Sequence, residues 1–506
     1  MPSEVPAGTA LSAAPVWERQ RHFFISEGPR VWQQGIVPSY ISTNPYLASM
    51  LAEILVAYRA EMGQPIDVVE LGAGSGRLGF HILRELTARL EPGDVRYVLT
   101  DLSPGMVEFW RQHPDLRPFV DGGVLDFALF DVAEPAPLAL KVSGHVLGAQ
   151  PSERPVAVIA SYCFDSVPSD LFHVDEDGRL FECLVQVVQP DAAGDAHQGS
   201  WPDQDGFLFD LRPCGASYYG DAALDAVLEE LQATALGMTV PMPATALQTL
   251  AFFADRWPCG VLAVIGDRGF TQPEYASELS VVEPTRHGSV SFPVNFGAIG
   301  TWVESRQGKA WHPSRPARSF NVSAFVFSCP GTATESAYRN AVDTRDADTF
   351  FTLKKAMEPH YYELSLREAL ALIRLSHWDP DIFSALSTRL VDAIEEPLDA
   401  ATRAELRFTI DRVWAAHFAV GEDHLAFQLA SVLYAVGDYR QALEFFGHAQ
   451  GGTPGGSVDA WLNSAVCHQM LGERQEAIAC VGHALTLAPG LEYAEELLQE
   501  LGQPES

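Results

Sequence analysis

Between residues 66 and 90 the spacing of apolar side chains changes period within a few positions. Ile66, Val68, Val69 and Leu71 form a short, largely β-branched run of the kind that fills a parallel strand covered on both faces. Leu78, Ile82, Leu83, Leu86 and Leu90 then recur at helical spacing, and Gly72-Ala73-Gly74-Ser75-Gly76 lies between the two patterns. The chain therefore predicts a strand, a glycine turn and a helix. Val95 to Thr100, Asp126 to Val132 and Val156 to Ser161 continue the series, and Val261 to Gly269, Ser289 to Phe296 and Ser319 to Ser328 read as its later strands. Strands alternating with helical stretches predict an α/β fold with a mostly parallel sheet.

Other segments depart from this rhythm. Upstream, Val37 to Tyr46 leads into an amphipathic run carried by Leu47, Leu51, Ile54, Leu55 and Tyr58. About 95 residues separate Asp165 from Gly260, where a minimal α/β unit needs only a helix. Leu171 to Val174 and Leu180 to Val188 alternate around Asp175-Glu176-Asp177-Gly178 and predict a hairpin; a polar loop (Gln189 to Asp205) and helices over Leu224 to Leu236 and Ala244 to Phe253 follow. From Asp346 onward the pattern is helical. There Gly437, Tyr439, Ala442, Phe446, Ala449 and Pro454 match Gly472, Arg474, Ala477, Val481, Ala484 and Pro489 at an offset of 35 residues. That spacing is that of tetratricopeptide repeats, with Trp461 at the usual tryptophan position and Tyr439, Phe446 and Trp461 expected between helices. The expected divisions are residues 1–60 as a tail and helical segment, 61–330 as the α/β domain with its insertion at about 165–259, and 346–506 as a helical domain with repeats at about 423–490.

The glycine turn carries the chemistry. Gly72, Gly74 and Gly76 allow backbone conformations that a Cβ forbids and let a ligand approach, and the helix that follows offers free N–H groups to polar or anionic atoms. Gly74-Ser-Gly76-Arg-Leu-Gly79 also fits the dinucleotide pattern, so NAD is one reading. Glu70, two residues before the first glycine, lies outside that pattern, whereas Asp101, closing the next strand, would accept from ribose hydroxyls in either case. Phe130 and Asp131, at the end of the third strand, are placed for an adenine ring and its exocyclic amine. Past the fourth strand, Tyr162-Cys-Phe-Asp165-Ser-Val-Pro-Ser-Asp170-Leu-Phe172 gathers acids and aromatics where ligands bind in open α/β sheets. Asp165, Tyr162 and Asp170 are the candidate catalytic residues, with His287 a fourth; Tyr40, Thr43 and Asn44 are candidates for lining a cofactor lid.

Glu70-x-Gly72-x-Gly74-x-Gly76 resembles motif I of the class I S-adenosyl-L-methionine methyltransferases. Ser161 to Phe172 resembles the Asn-Glu-Phe-Phe-Asp-Ala-Leu-Pro segment of the MidA-like members, the family of the mitochondrial complex I assembly arginine methyltransferase. Val261 to Gly269 resembles that family's strand ending in Asp-Tyr-Gly, and Arg286-His287-Gly-Ser-Val-Ser-Phe292 its His-containing strand region. The resemblance, spanning roughly residues 30 to 330, implies a Rossmann-like fold with a mostly parallel seven-stranded sheet, S-adenosyl-L-methionine as cofactor, covered by the helical segment within residues 1–60, and methyl transfer to a protein side chain, arginine nitrogen among the candidates. Where the family has Asn-Glu, this chain has Ser161-Tyr162, so a carboxylate that would hold a guanidinium is missing. Small-molecule methylation and a non-catalytic assembly role remain open.

Composition narrows the classes. With 66 acids against 33 bases the formal charge is −33, which argues against nucleic acid and anionic membranes as partners. The expected partner is a protein substrate or assembly factor met through the repeats; oligomeric state is left open. The seven cysteines include no C-x-x-C pair, so a reducing cytoplasm is expected and a metal site is not. No run of about 20 apolar residues is present to span a bilayer.

Overall fold

The computed structural model describes residues 8–188, 206–275, 284–286, 288–394, 398–421, 424–451 and 457–502. The chain divides into two units, Met1–Thr352 and Leu353–Ser506.

In the first unit seven strands make one sheet: β1 (Ile66–Leu71), β2 (Val95–Asp101), β3 (Leu125–Leu129), β4 (Val156–Ser161), β5 (Val261–Asp267), β6 (Lys309–Trp311) and β7 (Asn321–Phe327). They lie in the order 6-7-5-4-1-2-3. The pairs among β1 to β5 are parallel, whereas β7 runs antiparallel to both β5 and β6. Every residue of β1, β5 and β7 is buried, as strands packed on both faces require. Strand order reverses at β1, between β2 and β4, and a switch point of this kind opens a crevice at the strands' carboxyl ends.

Helices follow from caps and glycines as well as from periodicity. Helix α1 spans Pro15–Glu27, α2 Pro45–Met62, α3 Arg77–Thr87 and α4 Pro104–Gln112. Asn44 starts α2: its Oδ1 accepts from Leu47 N at 2.9 Å, Pro45 fills the first turn, and Gly63 closes the helix at φ 66°. The Thr43 hydroxyl donates to Ser39 O at 2.8 Å, and the Tyr40 ring lies 6.5 Å from that of Phe351, so the geometry of all three lid candidates is that of a capped turn.

Two expectations about strands need correction. Residues 289–296 make only two-residue pairings, Val290–Ser291 and Val294–Asn295, because Pro293 has no N–H for a ladder and Asn295 caps the helix Phe296–Ser305. The sixth strand is instead Lys309–Trp311, too short to show a period. The third strand stops at Leu129, so Phe130 and Asp131 lie beyond it.

The insertion builds a second, antiparallel sheet. The hairpin Asp170–Val174 and Leu180–Val188 forms as its alternation predicts, flanked by Met238–Met242, Gly206–Pro213 and Thr9–Ala10. The polar loop at 189–205 lies outside the described residues.

The second unit is helical throughout its described residues. Helices Leu425–Ala435, Tyr439–Gly451, Val458–Met470, Arg474–Leu487 and Glu492–Gly502 end the chain. The first and third connections between them repeat 35 residues apart: Gly437 and Gly472 both have φ 74°, with Gly437 N donating to Tyr434 O and Asp438 N to Leu433 O, then Gly472 N to Gln469 O and Glu473 N to His468 O. Ala442, Phe446, Ala477 and Val481 are fully buried, whereas Tyr439 and Trp461 are half-buried, the latter stacked on His483 at 4.4 Å.

Candidate functional site

The turn after β1 is fixed by its glycines and by what packs on them. Gly72, Gly74 and Gly76 have φ of 58°, 53° and 80°, the left-handed region. A Cβ on Gly74 would stand 2.8 Å from the Trp32 ring, and one on Gly76 2.9 Å from Trp110 Nε1. The Trp110 N–H donates to Gly74 O at 3.0 Å from α4, and Ala73 N donates to Thr100 O at 2.9 Å, so the turn is held from β2 and α4 while Trp32 covers it.

Asp101, ending β2, points into this turn. Its carboxylate accepts from Gly74 N at 3.3 Å and Ser103 N at 2.9 Å, leaving further lone pairs for a ligand's hydroxyls. Burial pushes its pKa up to about 6, against the N–H groups that favour the anion. Register sets Leu129 directly across from Asp101, and Leu129 is 39% exposed, an apolar surface at the crevice that the sequence reading assigned to Phe130. Phe130 is 4% exposed and packs on Phe252 and Phe253 at about 6 Å, so the geometry makes it a core residue. Asp131 pairs with Arg21 of α1, Oδ2 lying 2.6 Å from Arg21 Nη2, while its Oδ1 accepts from Ala133 N.

Glu70 sits behind the turn. It is 2% exposed, accepts from the Tyr97 hydroxyl at 2.7 Å, and would lie 2.6 Å from a Cβ on Gly79. Its pKa is raised to about 8 by burial, only partly offset by Tyr97. The carboxyl thus supports the junction of β1, β2 and α3 from within.

At the end of β4 the chain makes a strained corner. Tyr162 takes φ 47°, and its hydroxyl donates to Ser319 O at 2.8 Å. Burial, then Asp165, Asp267 and Asp348, push that phenol well above its ordinary pKa. The next residues wrap over Asp267, the fully buried last residue of β5, whose Oδ2 accepts from Cys163 N, Phe164 N and Asp165 N at 3.2, 2.9 and 3.2 Å. Burial first, then the neighbouring Asp165, raises Asp267, while these N–H groups oppose the shift. Asp165 is 3% exposed and accepts from the Ser166 hydroxyl at 2.7 Å. Cys163 joins the two halves: its Sγ would lie 3.2 Å from a Cβ on Gly72, and burial followed by Asp267, Asp165, Asp101 and Asp131 keeps the thiol neutral.

Asp170 belongs elsewhere. As the first residue of its strand it is turned into the inserted sheet, where it accepts from the Tyr219 hydroxyl at 2.8 Å and Ser12 N at 3.3 Å. Those partners give it a structural place in the insertion. His287 lies outside the described residues. Asp267 and Arg21 were missed by sequence reasoning: Asp267 was visible only within the Asp-Arg-Gly resemblance, and nothing in the local pattern marked Arg21.

Beyond the corner lies a cavity of about 330 Å³, lined by Gly269, Phe270, Thr271, Tyr275, Pro316, Ala317, Arg318 and Asn321. Among the described residues no group of three or more His, Cys, Asp or Glu side chains could hold a metal ion, and no helix is long and apolar enough to cross a membrane.

A family model described as "Putative S-adenosyl-L-methionine-dependent methyltransferase" matches residues 47–303, about half of the chain. No curated protein matches the sequence. Among solved structures, an uncharacterized protein from Burkholderia thailandensis is 15% identical, with 65% of this chain and 90% of that one covered at a TM-score of 0.41. Another from the same organism, bound to S-adenosyl-homocysteine, is 16% identical, with 63% and 94% covered and a TM-score of 0.40. The plantazolicin methyltransferase in complex with S-adenosyl-homocysteine is 10% identical, with 62% and 95% covered and a TM-score of 0.30.

Proposed function

Because the chain belongs to the family of S-adenosyl-L-methionine-dependent methyltransferases and takes that cofactor, we propose that it transfers the methyl group to a nucleophile presented at the Tyr162–Asp165 corner. The observation that carries this reading is the buried Asp101 carboxylate aimed into the left-handed glycine turn, with Asp165 reached from the same turn through Cys163. The strand order supports a Rossmann-like class I methyltransferase fold, since antiparallel β7 enters between β5 and β6, a strand that the dinucleotide order 3-2-1-4-5-6 lacks.

In this reading Asp101 holds the ribose hydroxyls, and Leu129 with Asp131 flanks the adenine. The backbone of Gly72 to Gly76 receives the amino-acid portion, with Glu70 acting behind it. The bound cofactor supplies an electrophilic methyl group on a sulfonium. Asp165, oriented by Ser166 and by the N–H groups gathered on Asp267, positions the acceptor and takes its proton. Tyr162, tied to Ser319 O, shapes the wall beside it.

The acceptor in this proposal is a protein side chain, delivered by the C-terminal helices acting as tetratricopeptide repeats; with Ser161-Tyr162 where the resembled family has Asn-Glu, a carboxylate to hold an arginine guanidinium is missing. The turn repeated 35 residues apart supports the repeat reading. All seven cysteines are free, which fits a place in the reducing cytoplasm. The test is mass spectrometry of proteins bound by the full chain, incubated with S-adenosyl-L-methionine and either wild type or Asp165→Ala. Methyl groups added by wild type alone are expected; partners left unmethylated by both would overturn the protein acceptor.

A further inference from the structure

We propose, building on the methyltransferase reading, that the cavity beyond the Tyr162 corner is the acceptor pocket and that it selects an acceptor bearing a carboxylate on an apolar body. Three observations place it there. Gly269 and Phe270 follow Asp267 and Arg268 directly, Asn321 pairs in register with Asp267, and the Tyr162 hydroxyl is bonded to the carbonyl of Ser319, between Arg318 and Phe320. At about 330 Å³ the cavity is at the small end of ligand pockets, roughly 300–1,000 Å³.

The chemistry of the lining sets the class. Among the described residues that line it, none is an acid, in a chain with 66 acids and 33 bases. Arg318 supplies a guanidinium that, among the described residues, no carboxylate engages. Asp348 is committed to backbone: Oδ1 accepts from Ser319 N at 2.8 Å and Phe320 N at 3.0 Å, and Oδ2 from Arg318 N at 3.3 Å. Arg315, three residues before, faces Asp346 at 3.6 Å, so pairing is the local habit and Arg318 departs from it. Asn321 Oδ1 accepts from the Ser323 hydroxyl at 2.7 Å, which leaves its N–H groups as donors, and Thr271 and Tyr275 add hydroxyls. Phe270, Pro316 and Ala317 provide apolar wall. A planar guanidinium with neutral donors fits a carboxylate and repels a cation.

The test is calorimetry on the full chain saturated with S-adenosyl-homocysteine, titrated with benzoate, benzamide and benzamidine, and with a peptide ending in Phe-Asp. Benzoate is expected to bind about tenfold more tightly than benzamide, with benzamidine weakest, and Arg318→Gln should remove the benzoate preference. Because Asp348 holds the backbone N–H of Arg318, the substitution leaves that anchor in place, and unchanged S-adenosyl-homocysteine affinity checks it. Binding of benzoate but not the peptide identifies a free acid as the source, and the reverse an acidic protein segment. Benzamidine binding as tightly as benzoate, or no binding by either carboxylate, overturns the proposal. Failure to bind S-adenosyl-homocysteine would instead strike the methyltransferase reading beneath it.

Discussion

Asp101 and Glu70 are two buried acids with different work, and pH separates them. In the proposed role Asp101, held up to about 6, would accept from ribose hydroxyls as the anion, so affinity for S-adenosyl-homocysteine should weaken as pH falls through about 6, measured by calorimetry across that range. Asp101→Asn should weaken binding about tenfold and flatten the profile. Glu70 acts on stability. Its folded pKa of about 8 exceeds the ordinary 4.5, so the folded protein keeps a proton that the unfolded chain gives up. Its contribution is therefore complete below the ordinary value and is lost as pH rises towards 8. Denaturant melts of Glu70→Gln should lack that decline. Residue types and order along the chain were enough to mark Glu70, the glycines, Asp101 and Asp165 as candidates. What they could not give was the facing of Phe130 against Leu129, because the strand ends at Leu129 and the alternation does not carry past it. Nor could they give the partners that turn Asp170 inward, since Tyr219 and Ser12 come from distant sequence.

At the scale of elements, the segments covering the turn matter as much as the turn. Gly74→Ala would place a methyl group 2.8 Å from the Trp32 ring in a left-handed backbone, at a cost of about 1–3 kcal/mol, read as a lower melting temperature and weaker cofactor binding. Helix α1 is fastened by Gln20, 2% exposed, which donates to Ser166 O and Val290 O at 3.0 and 3.1 Å and accepts from Val290 N at 2.7 Å. Gln20→Ala should destabilise the fold by about 1–3 kcal/mol and speed amide exchange in α1 relative to the sheet. Strands with long apolar runs were legible because burial on both faces writes itself into composition. Lys309–Trp311 was not, since three residues carry no period, and the short pairings at 289–296 were over-read because Pro293 interrupts an otherwise strand-like stretch.

For the whole molecule, the charge of −33 sets what the protein meets. Duplex DNA should show no mobility shift with it at physiological salt, and a retained complex would reveal a basic surface that the composition argues against. The 35-residue recurrence was legible because small residues and turn glycines repeat together, and the same turn geometry recurs at both glycines. The central claim is narrower: the turn at Gly72 to Gly76 and Asp101 form the S-adenosyl-L-methionine site. Calorimetric titration of the full chain with S-adenosyl-homocysteine and, separately, with NAD tests it most directly, using wild type and Asp101→Ala. The expected result is S-adenosyl-homocysteine binding at one site per chain, weakened about tenfold or more by the substitution, and no heat from NAD. NAD binding without S-adenosyl-homocysteine binding, or equal S-adenosyl-homocysteine affinity in both proteins, would contradict it.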